Sequence, residues 1–226
     1  MRFQAPESLS EQIAQHVGQR IITRDLKPGE RIQELKVAGE LNVSRGSVRE
    51  ALLILERRHL VEIFPRRGAV VSSLTADSVN SLYDIYIDLL CMLARKVMER
   101  HSPAELSGVM GRVQELQGIV EAFSAGTTRG AEEVIEAGFA VMEHAYRLVE
   151  NPFLQETLEN FRPAVSRTYF VVLNHYQEEP AETAGFFREL AAAALSGDSE
   201  RLQSVICTFG ERQRQQVLTI LAEESA

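Results

Sequence analysis

Arg45 and Arg49 stand one helical turn apart in the stretch VSRGSVREAL, beside Ser44, Gly46 and Ser47. An arginine side chain is a planar, multidentate donor that matches the O6 and N7 edge of guanine. Two of them a turn apart can reach adjacent base pairs, or one base and one phosphate. The hydroxyls of Ser44 and Ser47 suit phosphate oxygens, and a helix N-terminus at this point adds partial positive charge. Gly46 removes bulk where the backbone must come close. Lys36, a little upstream, can neutralise a phosphate. A second cationic group lies in PRRG: Arg66 and Arg67 bring charge, and Gly68 lets the backbone approach a minor groove. Taken singly, each feature has an ordinary explanation. Surface arginine pairs are common, neighbours such as Arg49 and Glu50 form solvated faces, and a glycine at a hairpin tip needs no ligand.

The charge distribution gives these cations a setting. The 226-residue chain carries a net −8. Residues 1–74 hold 12 Lys and Arg against 9 Asp and Glu, a balance of +3, while the remainder holds 12 against 23, a balance of −11. A mildly basic N-terminal piece is therefore joined to a strongly acidic one, which confines attraction for a polyanion to the small module. The two cysteines, Cys91 and Cys207, sit in apolar helical surroundings without metal-type spacing, which points to a reducing, cytoplasmic setting. The start MRFQAPESLSEQ lacks the apolar core of a signal peptide, and no apolar run is long enough to span a bilayer, so no membrane role is expected. Phosphate loops, nucleophile elbows and HExxH are missing from the sequence, and the five histidines are scattered, so an enzyme is not expected.

The elements that must hold the cations can be read from periodicity. Leu9, Ile13, Val17 and Ile21 line one face of a helix over 9–24. Pro28-Gly29 marks a turn, a short helix fits Leu35–Leu41, and NVS turns the chain tightly. Ser44 then caps a third helix to about Arg58, with Val48, Ala51, Leu52 and Leu55 packing inward. Leu60–Phe64 and Ala69–Val71 flank PRRG as a hairpin. Three helices and a basic-tipped hairpin make a winged helix-turn-helix over residues 1–74. From Thr75 the pattern is all helix. Six segments with short links predict an antiparallel bundle over 75–226. The fold class is thus mainly α, with two domains.

With LKPGERI before the second helix, VSRGSVREAL across the turn, and PRRGAVV in the hairpin, the chain resembles GntR-family transcription regulators of the FadR subgroup, which carry an all-helical FCD effector domain. The three blocks stand in the family's order and spacing. ENPFL, AALSGD and the long helix after Thr75 match weaker landmarks of the effector domain. The resemblance implies a homodimer that binds double-stranded DNA at a pseudo-palindromic operator, with the bundle as dimerisation platform. It also implies repression relieved by a small metabolite.

Family effector domains often hold a divalent metal through one carboxylate and three histidines. Here those positions align with Gly138, Met142, Arg188 and a residue near Gly210, none of which can replace such a ligand, so no metal or other cofactor is expected. An arginine and a glutamate often found on the first bundle helix are replaced by Tyr86 and Leu90. The expected effector pocket is therefore Tyr86, Leu90, Gly138, Met142 and Arg188. Arg188 either grips an anionic ligand in place of the metal or turns to the surface. Alongside a metabolite-released repressor stand two alternatives: a DNA-binding dimer whose sensor has lost metal and effector binding, and one that senses a largely apolar ligand.

Overall fold

The computed structural model describes residues 8–127, 130–176 and 180–224. The first seven residues, where no targeting segment is expected, and residues 128–129, in a link between two of the expected bundle helices, lie outside the described residues. The described residues up to Leu74, together with Asn160–Arg167, form one compact unit; Thr75–Glu159 and the described residues from Thr168 form the other. The stretch Asn160–Arg167 lies far along the chain, inside what the sequence presents as the second domain.

The first unit contains α1 (Leu9–Ile22), α2 (Glu34–Leu41), α3 (Arg45–Arg57), β1 (Val61–Phe64) and β2 (Gly68–Val71). Ser8 caps α1 by accepting from the Glu11 N–H, and Ser44 caps α3 by accepting from the Ser47 N–H at 3.0 Å. Each supplies one of the acceptors that a helix start lacks. Asn42, in the left-handed region at φ 52°, ends α2 and lets the chain turn into α3. Ile13, Val17 and Ile21 of α1 face Val48, Leu52 and Leu55 of α3 in the core. Leu9, expected on that face, is instead half exposed. Gly18 lets the two helices approach closely: a Cβ there would come 3.2 Å from Leu55 Cδ2.

β1 and β2 pair antiparallel, Val61 opposite Val71 and Phe64 opposite Gly68. The LKPGERI block adds an outer rung to this hairpin. Arg31 bridges Val70, the Ile32 N–H donates to the Ala69 carbonyl, and the Val71 N–H donates to that of Glu30. Asn160–Arg167 completes the unit. Phe161 stacks on His59 with ring centroids 6.5 Å apart, and the Arg167 guanidinium donates to Ser72 Oγ at 3.1 Å. Ser72 Oγ in turn donates to the His59 carbonyl at 2.8 Å. Burial, and then the charge of Arg24, lowers the Arg167 pKa to about 10, which still leaves it charged at neutral pH.

The second unit is helical: α4 (Ala76–Arg100), a 3-10 turn (Pro103–Leu106), α5 (Ser107–Ser124), α6 (Ala131–Val149), most of α7 (Pro152–His175), α8 (Pro180–Ser196) and α9 (Ser199–Glu224). Thr75 and Ser78 form a capping box that starts α4, and Glu150 in the left-handed region ends α6. α4 packs along α9 and α6, α5 along α6 and α8, and α8 along α9. Tyr83 and Tyr86 of α4 are fully buried, and Tyr83 Oη lies 2.9 Å from Thr168 Oγ1. Cys91 and Cys207, 116 residues apart in sequence, come together across α4 and α9 with their sulfurs 3.0 Å apart.

Candidate nucleic-acid interface and bundle cavity

The α3 stripe that faces away from α1 carries the expected cations. Arg45 and Arg49 have side chains 60% and 68% exposed. Neither is solitary, and the sequence reading missed why. Glu34, the first residue of α2, reaches both: its Oε2 accepts from Arg45 Nε at 2.6 Å, and its Oε1 lies 4.0 Å from Arg49 Nε. One carboxylate thus holds Arg45 by its Nε edge and lies at ion-pair distance from Arg49. The signal was available in the glutamate that opens a helix just before a helix-turn-helix, but acidic residues in first turns are commonly read only as dipole partners.

Ser44 is exposed, and its Oγ serves the helix cap and also lies 2.9 Å from Ser47 Oγ. The two hydroxyls therefore present as a linked pair at the start of α3. Gly46 is exposed, and a Cβ there would meet only Ser44 Oγ, at an ordinary 3.6 Å. Internal packing does not demand glycine at this point. Lys36 projects from α2, with Nζ 3.9 Å from Glu40.

In the hairpin, Arg66 takes a left-handed conformation at φ 66° and Gly68 one at φ 82°. Arg66 and Arg67 are exposed, and the Arg67 guanidinium sits 5.8 Å from the centre of the Phe64 ring. A Cβ on Gly68 would come within 3.7 Å of the Arg31 guanidinium, so Arg31 joins the tip as a third cation that the sequence reading did not place there. His59 ends α3 at φ 59°, taking a left-handed turn position without being glycine.

Inside the second unit lies a cavity of about 250 Å³ lined by α4 to α9 and the 3-10 turn. Tyr86, Leu90, Gly138 and Met142, all expected in a pocket, line it. Tyr86 Oη donates to Met142 Sδ at 3.4 Å, and a Cβ on Gly138 would meet nothing within 4 Å. Arg188 corrects the expectation: it is exposed and does not line the cavity. Phe186, Phe187 and Leu190 of the same helix do. At 100° per residue, position 188 cannot share their face, and an apolar interior offers its charge no solvation.

The wall also contains residues that sequence reading passed over. Arg212, Gln213 and Gln216 line the cavity from one face of α9, within a polar run that looks like a solvated surface. Phe209 lines it too, stacked on Phe186 with centroids 3.9 Å apart. Burial, followed by the nearby Tyr169, Tyr146 and Tyr83, pushes the Tyr86 hydroxyl well above the usual tyrosine value; burial pushes Tyr169 up to about 12. Both remain neutral hydroxyls near pH 7.

The side chains at the aligned metal positions do not fit a metal. Gly138 and Gly210 carry no donor, Met142 is bonded to Tyr86, and Arg188 points elsewhere. Gly210 has no room for a ligand: a Cβ there would fall 2.5 Å from Ile87 Cγ1. His144 lies against Gly108, and among the described residues no three His, Cys, Asp or Glu side chains gather as a metal site requires. Among those residues, no helix is long and apolar enough to cross a membrane.

Residues 9–71 match the family model of bacterial regulatory proteins, gntR family, and residues 81–209 match that of the FCD domain. The chain is 28% identical over 163 residues to YdhC of Bacillus subtilis, described as an uncharacterized HTH-type transcriptional regulator, covering 72% of this chain and 70% of that one. It is 26% identical over 163 residues to the gluconate operon transcriptional repressor of the same organism, covering 72% of this chain and 63% of the repressor. Among solved structures, Escherichia coli McbR/YncC superposes with a TM-score of 0.71 at 22% identity, over 98% of this chain and all of that one. A GntR transcriptional regulator structure from Rhodococcus sp. RHA1 gives 0.72 at 22% identity, over 93% and 97%.

Proposed function

The chain belongs to the GntR family of bacterial regulatory proteins and carries an FCD domain, which makes it a DNA-binding transcription regulator and not an enzyme; from that premise we propose that it acts as a homodimeric repressor, released from its operator by a small molecule that enters the bundle. The observation that carries this reading is the 250 Å³ cavity in a unit that contains none of the exposed α3 and hairpin cations. A bundle that served only to join two copies would gain stability by filling that space with side chains.

In this reading Arg45 and Arg49 contact base edges, Ser44, Ser47 and Lys36 contact phosphates, and Gly46 admits the backbone. Arg66, Arg67 and Gly68 enter the neighbouring minor groove. Residues 1–74 read DNA, 75–226 pair the copies and bind the effector, and no structural metal is involved. The protein works in the cytoplasm. A single module makes few base contacts; two related by a twofold axis double them, so the operator is a pseudo-palindrome. A gluconate operon repressor among the relatives supports repression as the direction of control.

Binding titrations on a selected operator test the assignment. Arg45→Ala weakens specific binding by about 1–3 kcal/mol and relaxes preference at one base position, whereas Arg66→Ala weakens binding to all duplexes alike. Unchanged operator affinity in Arg45→Ala overturns the recognition-helix assignment. A monomer in sedimentation, both free and on DNA, overturns the dimer.

A further inference from the structure

Resting on the reading that the bundle cavity is the effector site, we infer that its ligand is an uncharged single-tailed amphiphile: a hydrocarbon body with one small head that donates a hydrogen bond. The wall is built of Leu, Val, Met, Ala and Phe side chains, with its side-chain amides and its one guanidinium confined to one face of α9. On that face the Gln216 Oε1 is buried without a hydrogen-bond partner. A buried acceptor of this kind costs free energy until a donor reaches it. Arg212, the cation on the wall, already has an interaction of its own. Tyr86 and Tyr169 stay neutral and add hydroxyls but no charge.

The aligned metal positions cannot supply the missing positive charge, since Ile87 occupies the space beside Gly210 and Arg188 faces away. The space, about 250 Å³, is that of a small molecule.

The test uses the full chain with 1-octanol, octanamide, octanoate and succinate, reading melting temperature and operator affinity. Octanol and octanamide are expected to raise the melting temperature and release the operator, with affinity falling about fourfold for each methylene removed from the tail. Gln216→Leu should remove the preference for octanol over its methyl ether, about tenfold, because the ether cannot donate. Gly138→Phe, which fills the cavity, should abolish the response while operator binding persists. Release by octanoate or succinate but not by octanol and octanamide overturns the inference and leaves the effector reading standing. If none of the four compounds moves either readout, both fall.

Independently, the geometry points to Cys91 and Cys207 as a modification site that a hydroperoxide closes to an internal disulfide. Their sulfurs lie 3.0 Å apart, and both residues are half-buried. An S–S bond needs about 2.05 Å, so closure asks the two sulfurs to approach by about 1 Å. Leu90 and Ile206, their chain neighbours, line the cavity, so closure fixes two of its walls together. Burial, then the Cys207 thiol, pushes the Cys91 thiol up to about 12. One of the two sulfurs takes one peroxide oxygen to become a sulfenic acid, releasing water or an alcohol. The other sulfur then displaces the sulfenic oxygen, which leaves as water with that thiol's proton, so two electrons in all pass to the peroxide.

Intact-mass measurement after peroxide treatment should show loss of two hydrogens in a single chain, with both thiols closed to alkylation until a dithiol is added. Cys91→Ser and Cys207→Ser should form no internal link. Two alkylatable thiols after excess peroxide, or links only between chains, overturn the assignment.

Discussion

The two units keep their binding groups in opposite places. In the N-terminal unit those groups are exposed cations on a close-packed scaffold, with Glu34 paired to Arg45 and at ion-pair distance from Arg49. In the bundle they are neutral hydroxyls, amides and the single guanidinium of Arg212 around an interior space, and Arg188 lies outside it. The difference follows from the ligands each can take. A polyanion stays hydrated at the surface and is met by long, flexible charges. A small molecule taken inside must leave water behind, so the wall that receives it is apolar, with polar groups placed singly.

That contrast can be broken first by alkali. All five tyrosines follow residue 74, so phenol ionisation reports on the bundle alone. Tyr169 has a folded pKa of about 12 against the usual 10.0. Its contribution is complete below pH 10, because folded and unfolded chains are then equally protonated. It falls as pH rises toward 12, where the unfolded chain binds fewer protons. Burying Tyr169 alone should cost the bundle on the order of 3 kcal/mol by pH 12. A stepwise alkaline titration should show the phenol signal and bundle helix lost together; helix lost well before the phenols ionise sinks the comparison.

Packing offers the next test. Gly210→Ala forces a Cβ against Ile87, and overpacking of this kind should destabilise by about 1–3 kcal/mol in denaturant titration. Gly138→Ala, on a helix beside open space, should instead stabilise by roughly 0.5–1 kcal/mol through helix propensity. Equal effects at the two glycines would mean that the cavity is not where it is described. The smallest change belongs to the N-terminal unit. Glu34→Gln releases both arginines from an exposed ion pair and should alter folding stability by less than about 1 kcal/mol. It should increase binding to random duplex and steepen its salt dependence, because two guanidinium groups then compete for phosphate without a carboxylate beside them.

How legible each region was in the sequence follows the same division. Arg45, Arg49, Arg66 and Arg67 could be placed because local signals suffice: a Ser44 cap, an apolar stripe at 48, 51, 52 and 55, and a glycine at a turn. Tyr86, Leu90, Gly138 and Met142, which line the cavity, come from alignment to family positions, not from physics. Arg188 was misplaced because the alignment gives a column and not a direction around the helix. Arg212, Gln213 and Gln216 were missed because a polar run on a helix looks the same whether it faces solvent or a cavity.

Local chemistry written in the chain therefore determined the helices, their caps, the hairpin and the split between a basic and an acidic piece, since each depends on residues within a few turns of one another. Only tertiary packing decided which face of α9 meets the cavity, that Ile87 occupies the space beside Gly210, that Arg31 joins the hairpin tip, and that Cys91 meets Cys207. These pairings join residues from about 35 to more than 110 positions apart, and no local propensity sets the distance between them.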